Sequence, residues 1–189
     1  MTIGRLGCAA GAAILAALLG GCQTMNDLLD DKPAGQSEKE ESAAAVAPQD
    51  VSFVEKADAA GNREVALGEL ALEVSKTKSV DDLAQQMVTD HKAAGEKLRA
   101  IAMGDSIDVP MGPSAAQTAA DAGLAGLKGK DFDRAYADTM VKDHEAAVAL
   151  FESEVAQGSD KALVAFARDA LPTLKMHLEH ARNVLASLQ

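Results

Sequence analysis

From Ser52 to the C-terminus, apolar residues return at steps of three and four, the period of helices that bury one face. The first run aligns Phe53, Ala57, Ala60, Glu64, Leu67, Ala71 and Val74 on one stripe. Ser52 with Glu55 has capping-box spacing, so the pattern predicts a helix from Ser52 to about Lys76, with Glu64 as the one acid in its apolar row. Ser79 and Asp82 open a second helix in the same way, with Leu83, Met87, His91, Ala94, Leu98 and Ile101 inward and Met103-Gly104 at its end. Pro110 and Pro113 mark a loop, and Ala115 to about Lys128 reads as a shorter helix broken at Gly129. Asp131 starts the next long helix, which carries Phe132, Tyr136, Met140, His144, Ala147 and Phe151 in line and closes at Gly158. Ser159 or Asp160 caps the last one, with Leu163, Phe166, Ala170, Leu174, His177, Ala181, Val184 and Leu188 inward. Pro172 lies inside it, removes one backbone donor and predicts a kink.

Four long amphipathic helices predict an all-α bundle over residues 51–189. An up-down-up-down bundle needs only a few residues between its second and third helices. This chain spends Gly104 to Lys130 there, including a helix of its own, so a long crossover is predicted that makes the second and third long helices parallel and places them side by side. Glu64, His91 and His144 then lie about 12 or 13 residues into their helices, roughly 18 to 20 Å along, and share one level. Counted back from Gly158, His177 falls about 7 Å beyond that level.

The two central helices carry a repeat. Met87-Val88-Thr89-Asp90-His91-Lys92-Ala93-Ala94 is echoed by Met140-Val141-Lys142-Asp143-His144-Glu145-Ala146-Ala147, and each runs on to an apolar residue, Leu98 and Phe151. Shared Met, Asp, His and alanines in one register present similar faces, so what one histidine packs against or binds, the other meets too. All four histidines, His91, His144, His177 and His180, fall on long helices.

The N-terminal third has a different character. Arg5 precedes an apolar stretch, Leu6 to Leu19, too short to span a bilayer, and Leu19-Gly20-Gly21-Cys22 resembles a bacterial lipobox. Residues 1–21 are therefore expected to be a lipoprotein signal peptide and Cys22 the lipid-modified first residue. Gln23 follows in place of the aspartate that retains such proteins at the inner membrane, which favours the outer membrane and a periplasm-facing domain. Cys8 would leave with the signal, so no disulfide is possible within the mature monomer. Residues 22–50 are acidic and poor in large apolar side chains, and read as a disordered tether. A formal charge of -11 with few aromatics excludes the basic footprint that nucleic acid requires.

The paired Met-Val-x-Asp-His segments, the Asp131-Phe132-Asp133-Arg134-Ala135-Tyr136 start and the Leu171-Pro172-Thr173-Leu174 stretch leading to His177 resemble the domain of unknown function 4142 family over about Val51 to Leu188. That resemblance implies a bacterial, lipid-anchored envelope protein with a ferritin-like four-helix bundle, and no established reaction. The wider ferritin-like group implies a metal site between helices. Its di-iron members carry Glu-x-x-His twice, whereas Val88 and Val141 stand three residues before His91 and His144 here.

Two functions of different class stay open. In one, Glu64, His91, His144 and His177 converge on a transition metal, zinc, copper or iron, with Asp90 and Asp143 orienting the rings from outside. Met87 and Met140, one turn before a histidine each, would add soft donors for copper(I), although methionine in a helical stripe is ordinary core filler. In the other, the histidines are closed by the aspartates as hydrogen-bonded core residues of a metal-free structural or interaction module. Enzyme chemistry has little to stand on: the sequence holds no glycine-rich phosphate loop, no thiol nucleophile after the signal and no serine beside a histidine in a recognisable motif.

Overall fold

The computed structural model describes residues 46–109 and 121–189. The expected signal peptide, Cys22, most of the expected tether and much of the crossover, Pro110 and Pro113 included, lie outside the described residues. Four long helices form the folded part: α1 (Pro48–Val74), α2 (Lys78–Gly104), α3 (Gly129–Gln157) and α4 (Lys161–Ser187). Residues 121–125 are also helical, within the segment expected to carry the extra helix. No helix among the described residues is long and apolar enough to cross a membrane.

Several ends differ from the sequence expectation for local reasons. Pro48 occupies the first turn of α1, where its missing N–H costs nothing, so the helix starts before Ser52 and Ser52 is not its cap. Thr77 precedes α2 in the cap position, but its hydroxyl donates to Asp133 Oδ2 on α3 (2.5 Å) and so fastens the α1–α2 turn across the bundle. Gly129 adopts φ +59°, a left-handed turn into α3 that suits glycine. Asp160 caps α4 as expected, accepting from the amides of Ala162 and Leu163, and the helix runs through Pro172 to Ser187.

α1 packs on α2 and α3, and α4 on α3 and α2. The repeat helices α2 and α3 therefore stand at opposite corners of the bundle and not side by side as expected, because each buries its stripe against α1 and α4. Two apolar clusters fix their direction. One joins the end of α1 (Leu67, Ala71), the start of α2 (Leu83, Met87), the start of α3 (Phe132, Met140) and the end of α4 (Ala181, Val184). The other joins Phe53 and Ala57 to Leu98, Phe151 and Leu163, the opposite halves of the same helices. Hence α2 and α3 are parallel, as the long crossover predicts. The second cluster contains a three-ring contact, Phe53 against Phe151 at 5.0 Å edge-on and Phe166 at 5.9 Å from Phe151. Between the clusters lies a polar layer of Glu64, His91, His144 and His177, all 8% exposed or less.

Candidate metal centre

Each helix contributes one side chain to this layer, and the amphipathic period explains why. Glu64 stands three residues before Leu67, His91 four after Met87, His144 four after Met140 and His177 three after Leu174, so each continues a buried apolar stripe. The imidazoles meet in the middle: His91 Nε2 lies 3.4 Å from His144 Nε2, and His144 Nε2 lies 3.3 Å from His177 Nδ1. Ring centroids are 5.3 to 5.4 Å apart. His177 is thus at the common level despite the rise-per-residue count. Helical side chains lean toward their own N-terminus, and in antiparallel α3 and α4 the leans of His144 and His177 point at each other.

The outer nitrogens are all engaged. His144 Nδ1 donates to the Met140 carbonyl at 2.9 Å, and His177 Nε2 donates to Asp90 Oδ2 at 2.8 Å. His91 Nδ1 faces Glu64 Oε2 at 3.1 Å. Burial pushes the His91 ring down to about 3, assisted by its two imidazole neighbours, and His144 down to about 4. Burial also lowers His177, against the pull of Asp90. The rings are therefore neutral at pH 7. A neutral His144 with its proton on Nδ1 and a neutral His177 with its proton on Nε2 turn bare lone pairs toward each other at 3.3 Å. A proton on His91 Nε2 can reach His144 Nε2 at 3.4 Å but leaves His177 Nδ1 as a buried acceptor without a donor, at a cost of about 1 to 3 kcal/mol.

A cation removes that conflict. Two nitrogens held about 2.0 to 2.1 Å from one tetrahedral ion stand about 3.3 Å apart, the spacing found here. One ligand atom from each of His91, His144 and His177 lies within 4.8 Å of the others. The engaged outer nitrogens, carboxylate, carbonyl and carboxyl, match the support that metal-bound imidazoles receive.

Glu64 belongs to the layer but not to that ligand set. Its oxygens approach Nδ1 of His91 and, at 3.5 Å, Nδ1 of His144, the nitrogens turned away from the centre, so it stands behind the rings rather than among the ligands. Burial first, then Asp143, pushes its carboxyl up to about 8, while Arg63 opposes. Asp90 supports His177 as an orienting aspartate should, but Asp143 orients no ring. From its corner it faces α1 and pairs with Arg63, whose Nη2 also holds Asp121 Oδ1 of the crossover at 2.6 Å. Met87 and Met140 are fully buried in the first apolar cluster, and His180 bonds Gln86 at 2.8 Å away from the centre. Arg63 escaped the sequence reading, since an arginine beside a buried glutamate on one helix looks like an exposed neighbour.

A family model described as domain of unknown function (DUF4142) matches residues 35–184, beginning earlier than the quoted motifs. Among solved structures the chain is similar to a DUF305 fragment from Deinococcus radiodurans, with TM-score 0.67 and 20% identity over 75% of this chain and 98% of that one. It is also similar to CopM in its Cu(II)-bound form, TM-score 0.64 and 18% identity over 74% and 97% of the two chains. CopM in its Cu(I)-bound form gives TM-score 0.60 and 14% identity over 71% and 93%. At these identities the likeness shows the helical-bundle fold. No curated protein matches the chain in sequence.

Proposed function

We propose, for a chain that belongs to the domain of unknown function 4142 family, that it is a copper-binding protein of the bacterial envelope, with His91, His144 and His177 as the ligands. The observation that carries this reading is the convergence of three buried imidazole nitrogens, with His144 Nε2 3.3 Å from His177 Nδ1 and 3.4 Å from His91 Nε2. Three imidazoles suit copper, zinc or iron by donor type. The copper- and silver-bound CopM structures, which share the fold, favour copper. Asp90 offsets the ion's charge from behind His177, and Glu64 would do so behind His91 on giving up its proton. The metal-free alternative explains the Asp90–His177 bond and allows His91 Nε2 to donate to His144 Nε2, but it leaves His177 Nδ1 without a donor, and Asp143 does not perform the part it assigns.

The lipid anchor at Cys22, the tether and an outer-membrane position facing the periplasm complete the proposal, and rest in turn on the lipobox resemblance, the acidic composition of residues 22–50 and Gln23 after the cysteine. Cys22→Ser is expected to move the protein out of the membrane fraction or leave its signal uncut; continued labelling of that variant with fatty acid would remove the anchor from the account.

Metal content tests the central reading. The chain, purified without a polyhistidine tag and dialysed against copper, should retain one ion per chain and melt at a higher temperature for it. His144→Ala should abolish both effects while the bundle stays folded. A wild-type chain that retains no copper, zinc or iron would favour the structural module instead.

A further inference from the structure

The paired alanines of the repeat remain unexplained by metal binding, and the space around them is informative. Ala94 and Ala147 stand three residues after His91 and His144, where a full-sized core residue would close the layer from below. Instead a cavity of about 400 Å³ opens there, bordered by His91 and His177 and walled by Leu98, Leu174, Phe151 and Phe166. On the other side of the histidines, Met87 and Met140 are fully buried and fill the core. Acidic Asp58, Asp90 and Asp169 outnumber Lys97 around the cavity, which disfavours an anion. Its size is that of a small-molecule pocket, and its floor offers the aromatic faces and edges of two phenylalanines that pack at 5.9 Å.

We infer that this cavity is a ligand site serving the open fourth position of the metal, and that it takes a neutral nitrogen heterocycle with an aromatic or apolar body. The inference rests on the metal reading above. Three histidine ligands leave a tetrahedral ion one position for an outside ligand. A ring nitrogen supplies that donor without adding negative charge beside Asp90 and Asp169, and its body occupies the room that the two alanines leave.

Titration of the copper(II)-loaded full chain with imidazole and with 4-phenylimidazole, followed by ligand-field absorption and by the copper retained after gel filtration, tests this. Both should shift the spectrum with copper retained, and the phenyl compound should act at a concentration at least about tenfold lower, from burial of its second ring. Ala147→Leu and, separately, Ala94→Leu should keep one copper and lose that preference. A spectrum that does not change, changes only as copper leaves the chain, or changes at equal concentrations of the two compounds overturns the inference and leaves the metal reading standing. A chain that binds no copper overturns both.

Discussion

His144 has no accessible surface, and its two ring nitrogens have separate duties: Nδ1 is spent on the Met140 carbonyl, which leaves Nε2 as a bare acceptor at the centre of the bundle. The two repeat aspartates diverge just as sharply. Asp90→Asn should weaken copper affinity about 10- to 100-fold through loss of the charged acceptor behind His177, with little change in melting temperature, since that carboxylate is partly exposed. Asp143→Asn should do the reverse, leaving affinity nearly unchanged and lowering stability by about 1 to 3 kcal/mol as Arg63 loses one of two anionic partners. Isothermal titration and thermal melts on both variants separate the two roles, and equal affinity losses would contradict the assignment. Much of this was legible in the sequence. Three of the four expected donors are the three converging imidazoles, because buried helical stripes declare themselves by period. Glu64 was seen as buried but not as standing behind the rings, since period gives the face of a helix and not which ring nitrogen a carboxylate meets. Asp90 and Asp143 look alike in sequence because their difference lies in the neighbouring helix, which no local pattern encodes.

At the scale of elements, the α3–α4 turn is held from a distance. Asp50 of α1 accepts from the backbone amides of Ser159 and Asp160 at 2.9 and 3.0 Å, joining the two hairpins at the end remote from the α1–α2 turn. Glu154 lies beside it without accessible surface, and Gln49 alone favours its charged form. Burial, then Asp50, raises its carboxyl from an ordinary 4.5 to about 7. A raised acid binds its proton more tightly folded than unfolded, so its contribution is complete below pH 4.5 and is lost as pH rises through about 7. Glu64 adds to this loss and the three lowered histidines oppose it in the same range, so the test is the difference: relative to wild type, Glu154→Gln should gain melting temperature between pH 5.5 and pH 8, and an unchanged slope in the variant would exclude Glu154 as a contributor. The sequence placed all four long helices, and Gly104, Gly158 and Asp160 marked ends where the structure has them. It misplaced the starts of α1, α2 and α3, because Ser52 and Ser79 mimic caps while Pro48 and the Thr77–Asp133 bond set the real entries, and Gly129, read as a breaker, is the first residue of α3.

At the scale of the molecule, the crossover decides everything that follows. By carrying the chain from the end of α2 back to the start of α3, it makes the two repeats parallel and lets His91 and His144 approach from opposite corners at one level. Arg63 ties that crossover to the bundle through Asp121, with a 2.8 Å bond from Nε as well as the one from Nη2. Arg63→Met should accordingly speed amide exchange in residues 121–127 while α1 to α4 stay protected; uniform exchange across the chain would show that the clamp holds the whole fold instead. The parallel arrangement was readable from loop length alone. The diagonal placement was not, because it depends on how four apolar stripes share two clusters. The account as a whole depends on an ion at the centre of those clusters. Anomalous diffraction at the copper edge from crystals soaked in copper tests it most directly. The prediction is one peak about 2 Å from His91 Nε2, His144 Nε2 and His177 Nδ1 together, and a map with no peak within that triangle, or with copper only at surface residues, would contradict it.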